Sequence, residues 1–218
     1  MQLDVFTLVP HAFAWLTEQR PVATVLGTEL DLRLFSYRDT TPLRAGQVDD
    51  EPYGGGAGMV LRVDVVASAL DAVYGGAPDH RVVALTPQGR QLTQDVVEEL
   101  AGEQTLTLLS ARFEGFDERV VQHLASDAIS IGPYVLSNGD LPAMVLVDAI
   151  ARRLPGAIKA ESGAFESFSA ELDGGLEYPH YTRPPDFRGW RVPDVLLSGD
   201  HGKIDDWRRE QSRRRTVP

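Results

Sequence analysis

Apolar and polar positions alternate from Leu3 to Val9 among residues that favour strands, and Pro10 closes the run. This pattern predicts a first strand followed by a helix over Ala12 to Glu18. Leu30 to Phe35 alternates in the same way. A polar stretch with a glycine cluster follows, Gln47 to Gly58 (QVDDEPYGGGAG), and then helical spacing from Val63 to Val73. Arg81 to Leu85 reads as a short apolar strand ended by the turn Thr86-Pro87-Gln88-Gly89. Beyond it the spacing predicts a helix over Gln94 to Leu100, a strand over Thr105 to Leu109 and a helix over Asp117 to Leu124. A short strand near Ala128 to Ile131 comes next, then a long apolar helix from Leu141 to about Arg153, stopped by Pro155-Gly156. Strands alternating with helices predict an α/β domain with a mostly parallel sheet covered by helices. Gly156 to Gly175 is rich in Gly, Ser, Ala and Glu without a sustained period and reads as a linker or a loop that orders on binding. The tail from Tyr178 carries one clear helix starting near His201.

Composition narrows the chemistry. With 43% hydrophobic residues among 218, the chain can bury an ordinary globular core. No apolar run approaches the roughly 18 residues of a membrane span, and the start lacks a signal-peptide pattern, so a cytoplasmic protein without a membrane partner is expected. Cysteine is absent, which excludes disulfides, thiolate zinc sites and cysteine nucleophiles. The five histidines, His11, His80, His123, His180 and His201, are scattered, so no protein metal site is predicted. A formal net charge of -11 argues against nucleic-acid binding by bulk charge, so any RNA site must be local. Arg208, Arg209, Arg213, Arg214 and Arg215 crowd the C-terminus. They suit phosphate contacts, and equally a solvated helix end whose charge opposes the helix dipole.

Three loops fall where an α/β sheet binds ligands, at carboxyl ends of strands. They are Thr86 to Arg90, Ser110 to Gly115, and Ile131 to Pro142 (IGPYVLSNGDLP). On one edge they would form one shared site, with backbone amides for polar contacts and Phe113, Tyr134 and Leu136 as apolar walls. Gly and Pro at strand ends also simply make turns. The segment YGGGAG, Tyr53 to Gly58, lacks the Gly-Lys-Ser/Thr ending of a P-loop and reads as a mobile loop able to close over a substrate. No G-x-G-x-x-G follows the first strand, which weighs against a nucleotide-dependent oxidoreductase.

Six segments in order, VDDEPYGGGAGM, LTPQGRQL, RFEGFDERV, SIGPYVLSNGDLPAM, PHYTRPP and VLLSGDHGKIDDWRREQS, resemble the signature blocks of the bacterial tRNA (guanine-N1) methyltransferases of the TrmD type. The similarity runs from the first strand to nearly the last residue. It implies the SPOUT class: a parallel-sheet α/β domain over residues 1–155 with a deep trefoil knot, an interdomain linker over 156–175, and a small, shortened helical tRNA-binding domain over 176–218. It further implies methyl transfer from S-adenosylmethionine to N1 of the guanosine that follows the anticodon, by a homodimer whose active site spans the interface. Magnesium would assist without a protein metal site.

By motif position the resemblance implies cofactor contacts from Leu85, Thr86 and Pro87 in the first loop, and Ala111, Phe113 and Glu114 in the second. From the third it implies Ser130, Ile131, Gly132, Pro133, Tyr134, Val135, Leu136, Asn138, Gly139 and Pro142. The family base is an aspartate in a motif resembling E-D-S-F. Phe165-Glu166-Ser167-Phe168 stands there, making Glu166 the candidate base, with Glu161 and Glu171 next in line. Arg152 matches the arginine beside guanine O6, and Arg153 is the competing choice. Glu114 corresponds to a glutamate near cofactor and target base, or to one that orders its loop. Three departures bear on the cofactor site: Ala111 where the family often has glycine, Pro133, which removes a backbone donor, and Asn138 in place of glycine. Ala111, Pro133 and Glu166 in place of the family aspartate leave open an alternative, a knotted dimeric tRNA-binding protein with weakened or lost catalysis.

Overall fold

The computed structural model describes residues 1–159 and 166–216. The chain divides into two compact units, Met1–Ala157 and a second beginning at Ile158.

The first unit is built on strands β1 (Gln2–Thr7), β2 (Asp31–Ser36), β5 (Arg81–Gln91), β6 (Thr105–Ser110) and β7 (Asp127–Ser130), in the order β2-β1-β6-β5-β7. Every neighbouring pair is parallel. This mixed α/β architecture with a parallel sheet is what the alternating pattern predicts. Because side chains alternate across a strand, each strand feeds two cores. Leu3 and Val5 of β1, Val83 and Leu85 of β5, and Leu106 and Leu108 of β6 pack with helices α1 (Ala14–Glu18), α2 (Val22–Val25), α5 (Gln94–Ala101) and α7 (Asp140–Ala151). Phe6, Val82 and Leu109 point the other way, toward α3 (Tyr37–Thr40), α4 (Val63–Tyr74) and α6 (Glu118–His123).

The helix ends follow local chemistry. The Thr93 hydroxyl accepts from Val96 N and the Asp117 carboxylate from Arg119 N, each supplying an acceptor to orphan amides of a first turn. Gly75, at φ 76°, closes α4 by donating its amide to the Asp71 carbonyl.

Two segments depart from the pattern-based reading. The strand expected to stop at Leu85 resumes after a bulge. Leu85 and Arg90 both pair with Ile129, so Thr86 to Gly89 is an excursion between two parts of β5. The polar glycine stretch is closed into a hairpin by β3 (Asp49–Asp50) and β4 (Val60–Leu61), which are antiparallel. The core also runs past Pro155, since Leu154 and Ala157 are buried with the α5–α7 cluster.

The second unit holds an antiparallel hairpin, β8 (Asp186–Phe187) and β9 (Trp190–Arg191), then α8 (Asp194–Leu197) and α9 (His201–Thr216). The pattern-based reading missed the hairpin. Residues 166–175, read as linker, are tied locally: Phe168 N donates to the Gly175 carbonyl, and Leu176 N to the Thr216 hydroxyl. Arg208 stacks 4.9 Å over the Tyr178 ring. Acidic residues one turn earlier pair with Arg208, Arg209 and Arg214, so much of the C-terminal arginine cluster is a helix-surface ion ladder.

At the amino edge of the main sheet, fully buried Asp4 takes a bidentate contact from Arg33 at 2.7 and 2.6 Å and a 2.5 Å hydrogen bond from the Tyr74 hydroxyl. Burial, followed by the bond to Asp4, pushes the Tyr74 phenol well above its ordinary value. Asp4→Asn should lower stability by about 1–3 kcal/mol, because Arg33, Tyr74 and Gln2 lose a charged acceptor while half-exposed Arg33 keeps access to water. Urea unfolding of the variant measures the loss.

Candidate functional site

The carboxyl ends of β5, β6 and β7 open into one cavity of about 360 Å³ within the first unit. That volume falls in the range of small-molecule sites. Its walls come from the Thr86 bulge, the segment after Ser110, and residues 129–142. The three loops singled out on sequence grounds thus surround one space.

Most of the anticipated residues line it. Leu85, Thr86 and Pro87 form one side, Ala111, Phe113 and Glu114 another. Ser130, Ile131, Gly132, Tyr134, Val135, Leu136, Asn138, Gly139 and Pro142 complete the wall, and Pro133 is not part of it. Further lining residues escaped the sequence reading. Gln88, Arg112 and Ser137 lie inside the chosen loops, but Glu118 and Val121 project from the first turns of α6, which showed only helical periodicity.

The wall depends on close backbone contacts. Gly139 N donates to the Ala111 carbonyl at 2.8 Å, and a Cβ on Gly139 would stand 3.0 Å from Ser110 Cα and 3.1 Å from Ala111 N. A larger residue at 139 would press segment 131–139 and the end of β6 apart by a few tenths of an ångström. Ala111 is 5% exposed and packs with Phe6 and Tyr37 in the α4-side core as well as lining the cavity. The Ser130 hydroxyl donates to the Gly132 carbonyl, while Tyr134 donates from its hydroxyl to the Ile131 carbonyl. Phe113 sits in the left-handed region at φ 61°, a strained setting for a bulky residue.

Glu114 is exposed rather than buried, and it bridges to the glycine-rich hairpin. Its amide donates to the Met59 carbonyl at 2.9 Å, and Leu61 N and Asp117 N continue the pairing. A Cβ on Gly58 would fall 2.5 Å from Glu114 Cγ, so the YGGGAG segment ends pressed against the Glu114 side chain. It contributes no residue to the cavity wall.

Arg152 is placed elsewhere in the first unit. Arg152 caps the far end of α7, on the order of 18 Å along the helix from Asp140. It is not a wall residue. Its charge acts on Asp148, whose pKa is raised by burial and lowered in part by Arg152. Neighbouring Arg153 pairs with Glu98 at 3.2 Å. Glu166 belongs to the second unit, where its carbonyl accepts from Ser169 N. Phe165 and Glu161 lie outside the described residues. Among the described residues, no group of three His, Cys, Asp or Glu side chains is arranged to hold a metal, and no helix is long and apolar enough to cross a membrane.

Comparison with known proteins gives one answer throughout. A profile of the family described as tRNA (Guanine-1)-methyltransferase TrmD matches residues 1–218. A tRNA (guanine-N(1)-)-methyltransferase of Brevibacillus brevis is 45% identical over 218 residues, covering 99% of this chain and 88% of the relative. Proteins of the same name from Geobacillus kaustophilus and Lactiplantibacillus plantarum are each 46% identical over 219 residues, with 88% and 87% of the relative covered.

The backbone contact at Gly139 yields a direct test. Gly139→Ala should cost about 1–3 kcal/mol, since the new methyl meets main-chain atoms that cannot swing away. A fall in the urea midpoint of the variant registers it.

Proposed function

The chain belongs to the TrmD family of tRNA (guanine-1)-methyltransferases, and from that premise we propose that its cavity holds S-adenosylmethionine while the guanosine after the anticodon is methylated at its mouth. The protein is a tRNA (guanine-N1)-methyltransferase, on the strength of a family match along the whole chain and relatives near 45% identity. The alternative, a tRNA-binding protein with lost catalysis, is not favoured by those relatives. The observation that carries the cofactor assignment is the convergence of all three predicted loops on a single cavity.

The residues present suit the ligand. Apolar surface from Leu85, Ile131 and Leu136 faces a planar base, while the Thr86 hydroxyl and the amide groups of segment 131–139 suit its polar edge. Bound S-adenosylmethionine supplies a methyl group on a positively charged sulfur. Exposed Glu114 at the rim favours that cation.

N1 of neutral guanine is a poor nucleophile until its proton leaves. In this proposal the Glu166 carboxylate would take the N1 proton, leaving the N1 electron pair free for the methyl group that the bound donor would supply. The Arg152 guanidinium stabilises the charge gathering on guanine O6. Arg152 stands well away from the cavity of its own chain, which supports a homodimer in which a second protomer completes the site. Leu141 and Val145, one turn apart on α7, are 56% and 44% exposed and offer an apolar strip for that pairing. Magnesium assistance, a SPOUT-type knot around residues 131–142, a tRNA-binding role for the C-terminal unit and a cytoplasmic location complete the proposal. The parallel sheet and the seating of Gly139 against β6 support the knot.

Labelled cofactor and tRNA transcripts test the reading. Methylation should require guanosine after the anticodon and vanish when it is replaced, and a chain that methylates the replaced transcript equally well refutes the target. Glu166→Gln should slow single-turnover transfer by roughly 10² or more with cofactor affinity nearly unchanged. An unchanged rate across pH removes Glu166 as the base. Light scattering at micromolar concentration should give a dimer mass, against which a fully active monomer would count decisively.

A further inference from the structure

Beneath the cavity lies a carboxylate with no part in the chemistry above. Asp140 is the first residue of α7 and is 3% exposed. Its Oδ1 accepts from the Thr7 hydroxyl and from the Ser110 hydroxyl, each at 2.6 Å. Its own amide donates to Asn138 Oδ1 at 3.0 Å. Thr7 ends β1 and Ser110 ends β6, so one buried oxygen pins two neighbouring strand ends to the start of a helix. Among the described residues Oδ2 is buried without a hydrogen-bond partner. Burial first, and the Asp140 charge second, raise the Tyr37 phenol well above its ordinary value, so the ring keeps its proton beside the carboxylate.

The residues flanking these bonds are cavity wall. Ala111 follows Ser110, and Asn138 and Gly139 precede Asp140. Gly139 N donates to the Ala111 carbonyl across the same junction. Buried carboxylates are expensive unless something compensates them, and two hydroxyl donors and the positive end of α7 do so here. The local fold therefore depends on the charge as well as the shape of this side chain.

We infer that Asp140 is a positioning residue for methyl transfer, holding the Ala111 wall and the Asn138–Gly139 wall at the spacing that accepts S-adenosylmethionine. The inference rests on the reading that the cavity takes that molecule. Asp140 touches no reacting atom, so its loss acts on cofactor affinity before it acts on the chemical step.

Calorimetric titration of the full chain with S-adenosylmethionine tests this, with Asp4→Asn as a control that disturbs a buried carboxylate bonded to Arg33 and Tyr74 and not to the Asp140 junction. Asp140→Asn preserves shape and removes the charge. It should weaken binding by about tenfold or more, the scale of a lost charge-assisted bond in a buried site. At saturating cofactor its kcat should return to within several-fold of the parent, roughly the split expected when a ground-state wall is displaced. Ser110→Ala should weaken binding too, and adding it to Asp140→Asn should cost less than the two separate effects combined. Asp4→Asn should lower the melting temperature and leave affinity within about twofold.

Unchanged affinity in Asp140→Asn overturns the inference, as does an equal loss in Asp4→Asn, which would mark a general effect of instability. If Asp140→Asn does not fold, Ser110→Ala and Thr7→Val decide, and parent-like affinity in both overturns it. A parent chain that takes up no S-adenosylmethionine refutes the cavity reading and this inference with it. A binding parent with indifferent variants refutes this inference alone.

Discussion

The close approach of Gly139 to the end of β6 is the contact on which the candidate site depends. A parallel sheet buried on both faces releases its strands along one edge, and each exit leaves backbone groups that need partners. Here the segment after β7 turns back across the exit of β6, and a main-chain bond from Gly139 to Ala111 closes the junction. Any side chain at Gly139 would hold the two segments apart. With that contact made, the bulge after Leu85 and the strained turn at Phe113 face the same space, and three separate turns become one wall.

Two buried carboxylates stabilise the same sheet by different means. Asp4 is matched with a cation, Arg33, whose guanidinium keeps partial access to water. Asp140 has hydroxyls and a phenol around it. The first arrangement trades desolvation against a bidentate ion pair, and geometry decides its worth. The second leaves a buried carboxylate behind the cavity wall, held among the described residues by hydroxyl donors. On the proposed reading, a carboxylate in that position favours a ligand that carries a positively charged sulfur.

Much of this was legible in the residues. The pattern of strand-favouring apolar residues located four of the five main strands within a residue or two, and the start of β5, while Pro and Gly punctuation located the three loops. Other features left weaker signals. Pro87-Gln88-Gly89 reads as a full stop, yet β7 lies alongside and lets β5 resume at Arg90. That pairing is tertiary and has no local code. The hairpin at Asp186 to Arg191 did carry a signal, a two-residue Arg188-Gly189 turn between aromatic residues, with both central φ values positive as such tight turns require. Asp140 looks like any acidic residue in a first helical turn, and only the fold shows Thr7, 133 positions away in sequence, donating to it. The role of Glu166 rests on family resemblance, because its surroundings belong to the second unit.

Helix α7 separates two requirements that the chemistry must reunite. One end abuts the cavity through Asn138, Gly139 and Pro142, and the other carries Arg152. A helix is too stiff to bend an arginine back over its own length, so an O6-stabilising role for Arg152 obliges the arginine to act on a different cavity from the one its own helix supports. A two-fold pairing meets that need, because an antiparallel partner places the far end of one helix beside the near end of the other. The exposed strip at Leu141 and Val145 lies on that helix, where such a pairing would cover it. On the proposed reading, the net charge of -11 then has a physical consequence as well. An acidic protein cannot attract tRNA with its whole surface, so recognition must come from arginines placed locally, with the dimer fixing where they stand.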